Sequence, residues 1–129
     1  MDTVRSQKRR LDQIFSQYIK LRDCINGRGQ CFTCGELFPI EELDAGHFRS
    51  RKYNSTRYDE KNVALQCKKC NRFNSGEQWR FGRDLDDKYG EGTALALTKK
   101  AHEIKQFTVQ ELKDLYAFYK FKVEHMEEE

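Results

Sequence analysis

The 129-residue sequence has no run of about 18 apolar residues and no N-terminal signal-peptide pattern, which excludes a helical membrane span and a secretory leader from this reading. It has no internal repeat and no low-complexity tract. Proline and tryptophan each occur once, as Pro39 and Trp79. Apolar residues make up only 37% of the chain and charged residues 35%, with a mean hydropathy of −0.94. A chain of this length buries one modest core, and this composition makes that core lean. The expectation is a single soluble, intracellular domain with no membrane contact.

Cysteine, by contrast, is present in a pattern. Four of the five cysteines form two knuckles, Cys31-x-x-Cys34 and Cys67-x-x-Cys70. In an intracellular chain such pairs are metal ligands rather than disulfides. Four thiolates at this spacing predict a closed tetrahedral Zn²⁺ site, structural rather than catalytic. Its binding energy is folding energy, which offsets the lean core. The 32 residues between the knuckles exceed a compact zinc ribbon and leave room for a hairpin and a loop. Cys24 has no partner at ligand spacing and is expected in the core as a small hydrophobe.

The pattern along the chain predicts a mainly helical α+β fold. A first helix runs from residue 2 or 3 to residue 23, with Val4, Leu11, Ile14, Tyr18 and Leu21 on one face and Phe15 and Ile19 widening it. Leu37 to Ile40 and Leu43 to Phe48 read as a hairpin turning at Glu41-Glu42, with Pro39 marking an edge or bulge. Residues 49–61 read as a loop, and residues 62–66 as a short strand entering the second knuckle. A helix is expected to begin within that knuckle and carry Asn71. Ser75-Gly76 interrupts it. Further helices are expected over 78–89 and from Gly92-Thr93 to residue 101 or 104, with Trp79 in the core. A capping box, Thr108-x-x-Glu111, opens the last helix. Its seam of Val109, Leu112, Tyr116, Tyr119, Val123 and Met126 fits either packing on the first helix or a homodimer. The division is 1–27 for the N-terminal helix, 28–78 for the zinc-bound core and 79–129 for the C-terminal helices.

Charge is uneven. Residues 49–83 hold ten basic residues against three acidic ones, a net of +7 in a chain of net +3. The C-terminal end, with Glu124, Glu127, Glu128 and Glu129, is acidic. Cations concentrated beside a zinc module fit a phosphate backbone. Arg49, Arg51, Lys52, Arg57, Lys68, Lys69, Arg72, Arg80 and Arg83 are the candidate DNA-binding residues.

His47 lies on the expected strand, followed by Phe48-Arg49-Ser50-Arg51-Lys52, and is spaced from Asn62 and Asn71 like the three positions of an HNH nuclease motif. His102 and His125 fall outside the motif and are assigned no role. The run Asp44-Ala45-Gly46-His47-Phe48-Arg49-Ser50, then Arg57-Tyr58-Asp59-Glu60-Lys61-Asn62, then Gln66-Cys67-Lys68-Lys69-Cys70-Asn71, then Ser75-Gly76, is similar to the NinG (Rap) recombination proteins of lambdoid phages. The resemblance covers about residues 11–125. It implies a zinc-stapled HNH, or ββα-metal, core with flanking helices, acting in the cytoplasm of the bacterial host. It also implies an endonuclease in phage recombination that prefers branched DNA such as Holliday junctions, with a phage recombinase as a further partner. Members often carry an extra N-terminal basic segment; this chain begins close to its first helix, as a shorter homologue or a trimmed chain would.

The chemistry fits these residues. Phosphodiester hydrolysis needs a base for water, a cation at the phosphate and fixed geometry between them. Neutral His47 can take the proton, Asn71 offers a hard oxygen to Mg²⁺ or Mn²⁺, and Asn62 holds the loop and orients His47. Asn62 also reads as an ordinary turn residue. Many HNH enzymes place an acidic ligand directly before the histidine, but here that residue is Gly46. Asp44, about 6.6 Å from Gly46 along a strand, is either a metal ligand brought in by a bulge or a hairpin hydrogen-bonding residue. Two other readings stand beside the endonuclease. One is a non-catalytic zinc-stapled DNA-binding accessory protein, and the other is a scaffold whose zinc only stabilises a helical interaction surface.

Overall fold

Helix α1 (Val4–Asp23) begins where Thr3 and Ser6 exchange capping bonds, each hydroxyl accepting the other's backbone N–H at 3.0 Å. The computed structural model describes residues 1–73 and 75–127. The buried stripe of α1 is Leu11, Phe15, Tyr18 and Ile19, while Val4 is exposed and Ile14 and Leu21 are half-buried. Phe15 and Ile19, read from the sequence as the margin of the stripe, therefore sit at its centre.

The expected hairpin does not form. Strand β1 (Arg28–Gln30) pairs antiparallel with β2 (Leu37–Pro39), and the first cysteine pair lies in the turn between them. The knuckle itself folds the chain back: the Gly35 N–H donates to the Cys31 carbonyl at 2.9 Å, and Gly35 takes φ +81, open to glycine without strain. β2 thus has a partner before the chain reaches Leu43. A 3₁₀ turn, Ile40–Glu42, then sends β3 (Leu43–His47) to pair with β4 (Val63–Cys67). Residues 49–61 are also more ordered than a loop, with helix α2 (Asn54–Arg57) and a 3₁₀ turn at Glu60–Asn62.

All five residues of β4 are buried because both faces of its two-stranded sheet are covered. Val63 packs with Leu11, Phe15, Tyr18 and Ile19 of α1 and with Leu112, Tyr119 and Val123 of α5 (Val109–Glu127). Ala64, on the other face, packs with Phe48, with Phe81 and Leu85 of α3 (Gln78–Tyr89) and with Leu97 of α4 (Thr93–Ala101). The capping box of α5 is made, with Glu111 N–H donating to Thr108 Oγ1 at 3.0 Å. Its seam lies on α1 of the same chain. Glu60 ties these layers together by accepting from the hydroxyls of Tyr18 at 2.7 Å and Tyr119 at 3.1 Å.

Trp79 is not in the core; it is 76% exposed. The inward face of α3 is set by Phe81, Gly82 and Leu85, and a residue two positions before Phe81 points about 200° around the helix, to the opposite side. Cys24 is half-buried, its thiol 2.8 Å from where a Cβ on Gly29 would lie. Among the described residues no helix is long and apolar enough to cross a membrane. Glu128 and Glu129 of the acidic end lie outside the described residues.

Candidate functional site

The sulfurs of Cys31, Cys34, Cys67 and Cys70 all lie within 4.8 Å of one another, with Cys34 and Cys67 at 4.0 Å. Tetrahedral zinc with Zn–S bonds of about 2.3 Å sets its sulfurs about 3.8 Å apart, so the cluster fits that ion. Burial and neighbouring thiols push Cys70 up to about 12, whereas hydrogen bonds pull Cys31 down to about 6 against its burial, so Cys70 above all needs a cation beside it to become a thiolate. The cluster also reaches outward. Thr33 Oγ1 sits 3.6 Å from Cys31 Sγ and accepts from Gln66 Nε2 at 3.2 Å, and the same Nε2 donates to the Gly76 carbonyl at 2.8 Å. Gln66 therefore links the cysteine cluster to the turn that follows Asn71.

Gln66 also explains Gly46. A Cβ built on Gly46 would lie 2.1 Å from Gln66 Oε1 and 2.8 Å from its Cδ. The position before His47 has no room for any side chain, acidic or otherwise. The β3–β4 register runs regularly from Leu43 opposite Cys67 to His47 opposite Val63, so no bulge turns Asp44. Asp44 and His47 nevertheless line one cavity of about 440 Å³, together with Asp12, Arg51, Asn71 and Arg72.

Within that cavity His47 Nε2 lies 3.0 Å from the Arg57 carbonyl. A carbonyl only accepts, so Nε2 carries the hydrogen and Nδ1 keeps its lone pair. Burial pushes the imidazole down to about 4, against the pull of that hydrogen bond, so the ring is neutral at pH 7. Asn62 is fully buried. Its Oδ1 accepts from Arg49 N–H at 2.8 Å, and its Nδ2 donates to the carbonyls of Arg49 and Thr56, each at 3.0 Å. It clamps the segment between β3 and α2.

Asp44 accepts from Asn71 Nδ2 at 3.0 Å, from Lys68 at 3.2 Å and from two Arg72 nitrogens at 3.0 and 3.1 Å. Burial resists its ionisation, but the bonds from Asn71, Arg72 and Lys68 outweigh burial and hold it below the ordinary carboxylate range. Asn71 stands on a wide π-type turn, Lys69–Phe73, that follows the second knuckle, so a turn rather than a full α-helix carries it.

Asp12 was not singled out by its sequence. It accepts from Arg57 Nε at 3.0 Å and Nη2 at 2.5 Å and from Tyr58 Oη at 2.8 Å, and pairs with Arg51 at 3.6 Å. Its one sequence signal is a carboxylate directly beside the buried Leu11 on the margin of an apolar stripe.

The candidate DNA-binding cations thus divide. Arg51, Arg57, Lys68 and Arg72 pair with Asp12 or Asp44, and Arg83 pairs with Asp84 at 3.3 Å. Arg49, Lys52, Lys69 and Arg80 pair with no carboxylate among the described residues.

The family described as Bacteriophage Lambda NinG protein matches residues 3–129 of this chain. The chain belongs to the NinG family. It is similar to Protein ninG of Escherichia phage 933W, 30% identical over 97 residues that cover 74% of this chain and 47% of that protein. Protein ninG of Escherichia phage lambda is 29% identical over the same share of each. Protein ninG of Salmonella phage P22 is 30% identical. The chain spans about half the length of these NinG relatives. No solved structure matches it.

Proposed function

We propose that the protein is a metal-dependent DNA endonuclease of phage recombination that nicks or resolves branched DNA, built on an HNH-type core. One observation carries this reading: a buried, neutral His47, whose Nε2 donates to the Arg57 carbonyl and leaves Nδ1 with a free lone pair, lines the cavity shared with Asp44 and Asn71. Asn71 and Asp44 fit a divalent cation. Turned so that its amide oxygen rather than its Nδ2 faces Asp44, Asn71 would join that carboxylate as a second hard oxygen ligand. Bound there, Mg²⁺ or Mn²⁺ would neutralise charge on the phosphate and the departing oxygen.

The chain's own groups supply the rest. His47 Nδ1 takes a proton from water as the water oxygen bonds to phosphorus, and the P–O bond to the departing sugar oxygen breaks. Asn62 and the Arg57 carbonyl hold the imidazole in line. The zinc cluster fixes the Asn71 turn against β3 and takes no part in the chemistry.

A second reading is a zinc-stapled DNA-binding accessory protein. It is favoured by the engagement of Asp44 with Lys68, Arg72 and Asn71, which leaves its carboxylate satisfied without a metal. A four-way junction incubated with Mg²⁺ or Mn²⁺ separates the two. Cleavage by the parent and none by His47→Ala, with zinc content and junction binding retained, supports the endonuclease. A parent that binds the junction and never cuts it supports the accessory protein.

A further inference from the structure

Asp12 and Asp44 neutralise most of the cations around the first cavity. A second cavity, of about 580 Å³, adjoins it and shares His47, Ser50 and Asn71. Among the described residues its lining carries Arg49 and Lys52 and no carboxylate. Two of the four candidate cations that pair with no carboxylate among the described residues, Arg49 and Lys52, therefore stand on this side of His47, whereas Lys69 and Arg80 lie beside the cysteine cluster.

Arg49 is built into that wall. Asn62 holds its backbone on both sides, at 2.8 and 3.0 Å. Its Nε donates to Thr98 Oγ1 at 3.0 Å and its Nη1 approaches Gln78 Oε1 at 3.5 Å. Its guanidinium lies 4.1 Å over the Phe48 ring. Arginine has five N–H donors, so three remain for an incoming group. A long side chain fixed in advance gives up its rotamer freedom on folding rather than on binding. A planar, permanently charged fork with free donors and no counter-ion suits a phosphate, which it can grip through two oxygens.

We propose that this second cavity is a phosphate site, in which Arg49 grips the backbone phosphate neighbouring the one at His47, with Lys52 as the outer charge. The assignment rests on the nucleic-acid reading above and names the direction in which the strand leaves the reaction centre. A strand crossing the His47 ring passes from the balanced cavity into the cationic one.

The test is equilibrium binding of a labelled four-way junction without added divalent cation, across about 50 to 200 mM salt. Each neutralised phosphate contributes about 0.9 to the slope of log affinity against log salt. Arg49→Gln should flatten the slope by about that amount, whereas Arg72→Gln, already paired with Asp44, should leave it unchanged. Arg49→Lys should keep the slope and weaken binding. Methylphosphonates scanned along the strand should find one position that weakens binding by the parent and adds nothing in Arg49→Gln. Equal slopes for Arg49→Gln and the parent, or an equal loss in Arg72→Gln, would overturn the site. If Arg49→Gln fails to fold, the methylphosphonate scan on the unaltered protein decides, and a scan with no sensitive position overturns it. The measurement needs no cleavage. A protein that shows these effects and never cuts loses the endonuclease reading alone; one that cuts with an unchanged Arg49→Gln slope loses this site alone.

Discussion

The Asp12 carboxylate on α1 holds the Arg57 guanidinium through two bonds, at 3.0 and 2.5 Å, and the carbonyl of the same Arg57 takes the Nε2 hydrogen of His47. An N-terminal helix that reads as generic amphipathic packing thus fixes the acceptor that sets the tautomer of the proposed base. The pair is largely shielded, with 18% of the Asp12 and 15% of the Arg57 side chain exposed. Asp12→Asn preserves shape and removes charge. It should destabilise the fold by about 1.5–3 kcal/mol, the range for a hydrogen bond to a charged group. Junction cleavage should fall at least tenfold, with binding little changed. Urea melts and single-turnover cleavage measure both. Full cleavage by Asp12→Asn would remove the link between α1 and His47.

Stability should depend on His47 between pH 4 and 6.5. Burial lowers the imidazole from its ordinary 6.5 to about 4, so in this window the unfolded chain holds a proton that the folded chain lacks. The contribution is complete above pH 6.5 and is lost as pH falls toward 4. At about 1.4 kcal/mol per pH unit this amounts to roughly 3 kcal/mol. His47→Gln, whose amide can still donate to the Arg57 carbonyl, should flatten that part of the curve. Urea melts at pH 7 and 4.5 on both proteins check it; parallel curves would contradict the buried neutral ring.

Stripping the metal should unfold the centre of the chain. Structural zinc contributes about 10–16 kcal/mol, comparable to or larger than the 5–15 kcal/mol total of a typical domain. We expect one zinc per chain, released by a strong chelator together with loss of the far-ultraviolet circular-dichroism signal. Cys34→Ser should lower zinc occupancy and thermal midpoint together. A chain that stays folded after losing its metal would refute this.

Gly46→Ala should perturb the site through Gln66, because the new methyl would lie 2.1 Å from the buried Gln66 Oε1. Gln66 must then release Thr33 or Gly76, at a cost of about 1–3 kcal/mol for the unpaired groups. In a Gln66→Ala background the same substitution should cost much less. Denaturant unfolding of the two single variants and the double variant measures this non-additivity; strictly additive losses would show that Gln66 is not the obstacle.

Trp79 should behave as a surface indole. It is the one tryptophan in the chain, so its emission reports this position alone. Free access to acrylamide is expected, with a stability change within about 0.5 kcal/mol for Trp79→Ala.

Local rules determined much of this protein. The CxxC spacing defined the four-cysteine cluster, apolar periods set α1 and α3, a capping box opened α5, and His47 and Asn71 came to line one cavity. These features depend on residues near one another in the chain, or on a ligand set whose chemistry is recognisable anywhere. Pairing and facing were decided by the tertiary structure. The knuckle gave β2 to β1 and left β3 to β4, and the inward face of α3 put Trp79 outside. No local signal tells Asp12 from any other helical carboxylate, because its role depends on Arg57, 45 residues away. The split of the basic run into balanced and unpaired cations likewise followed from which carboxylates the fold brought near. Side-chain charge is written in the sequence, but its neutralisation is a matter of distance.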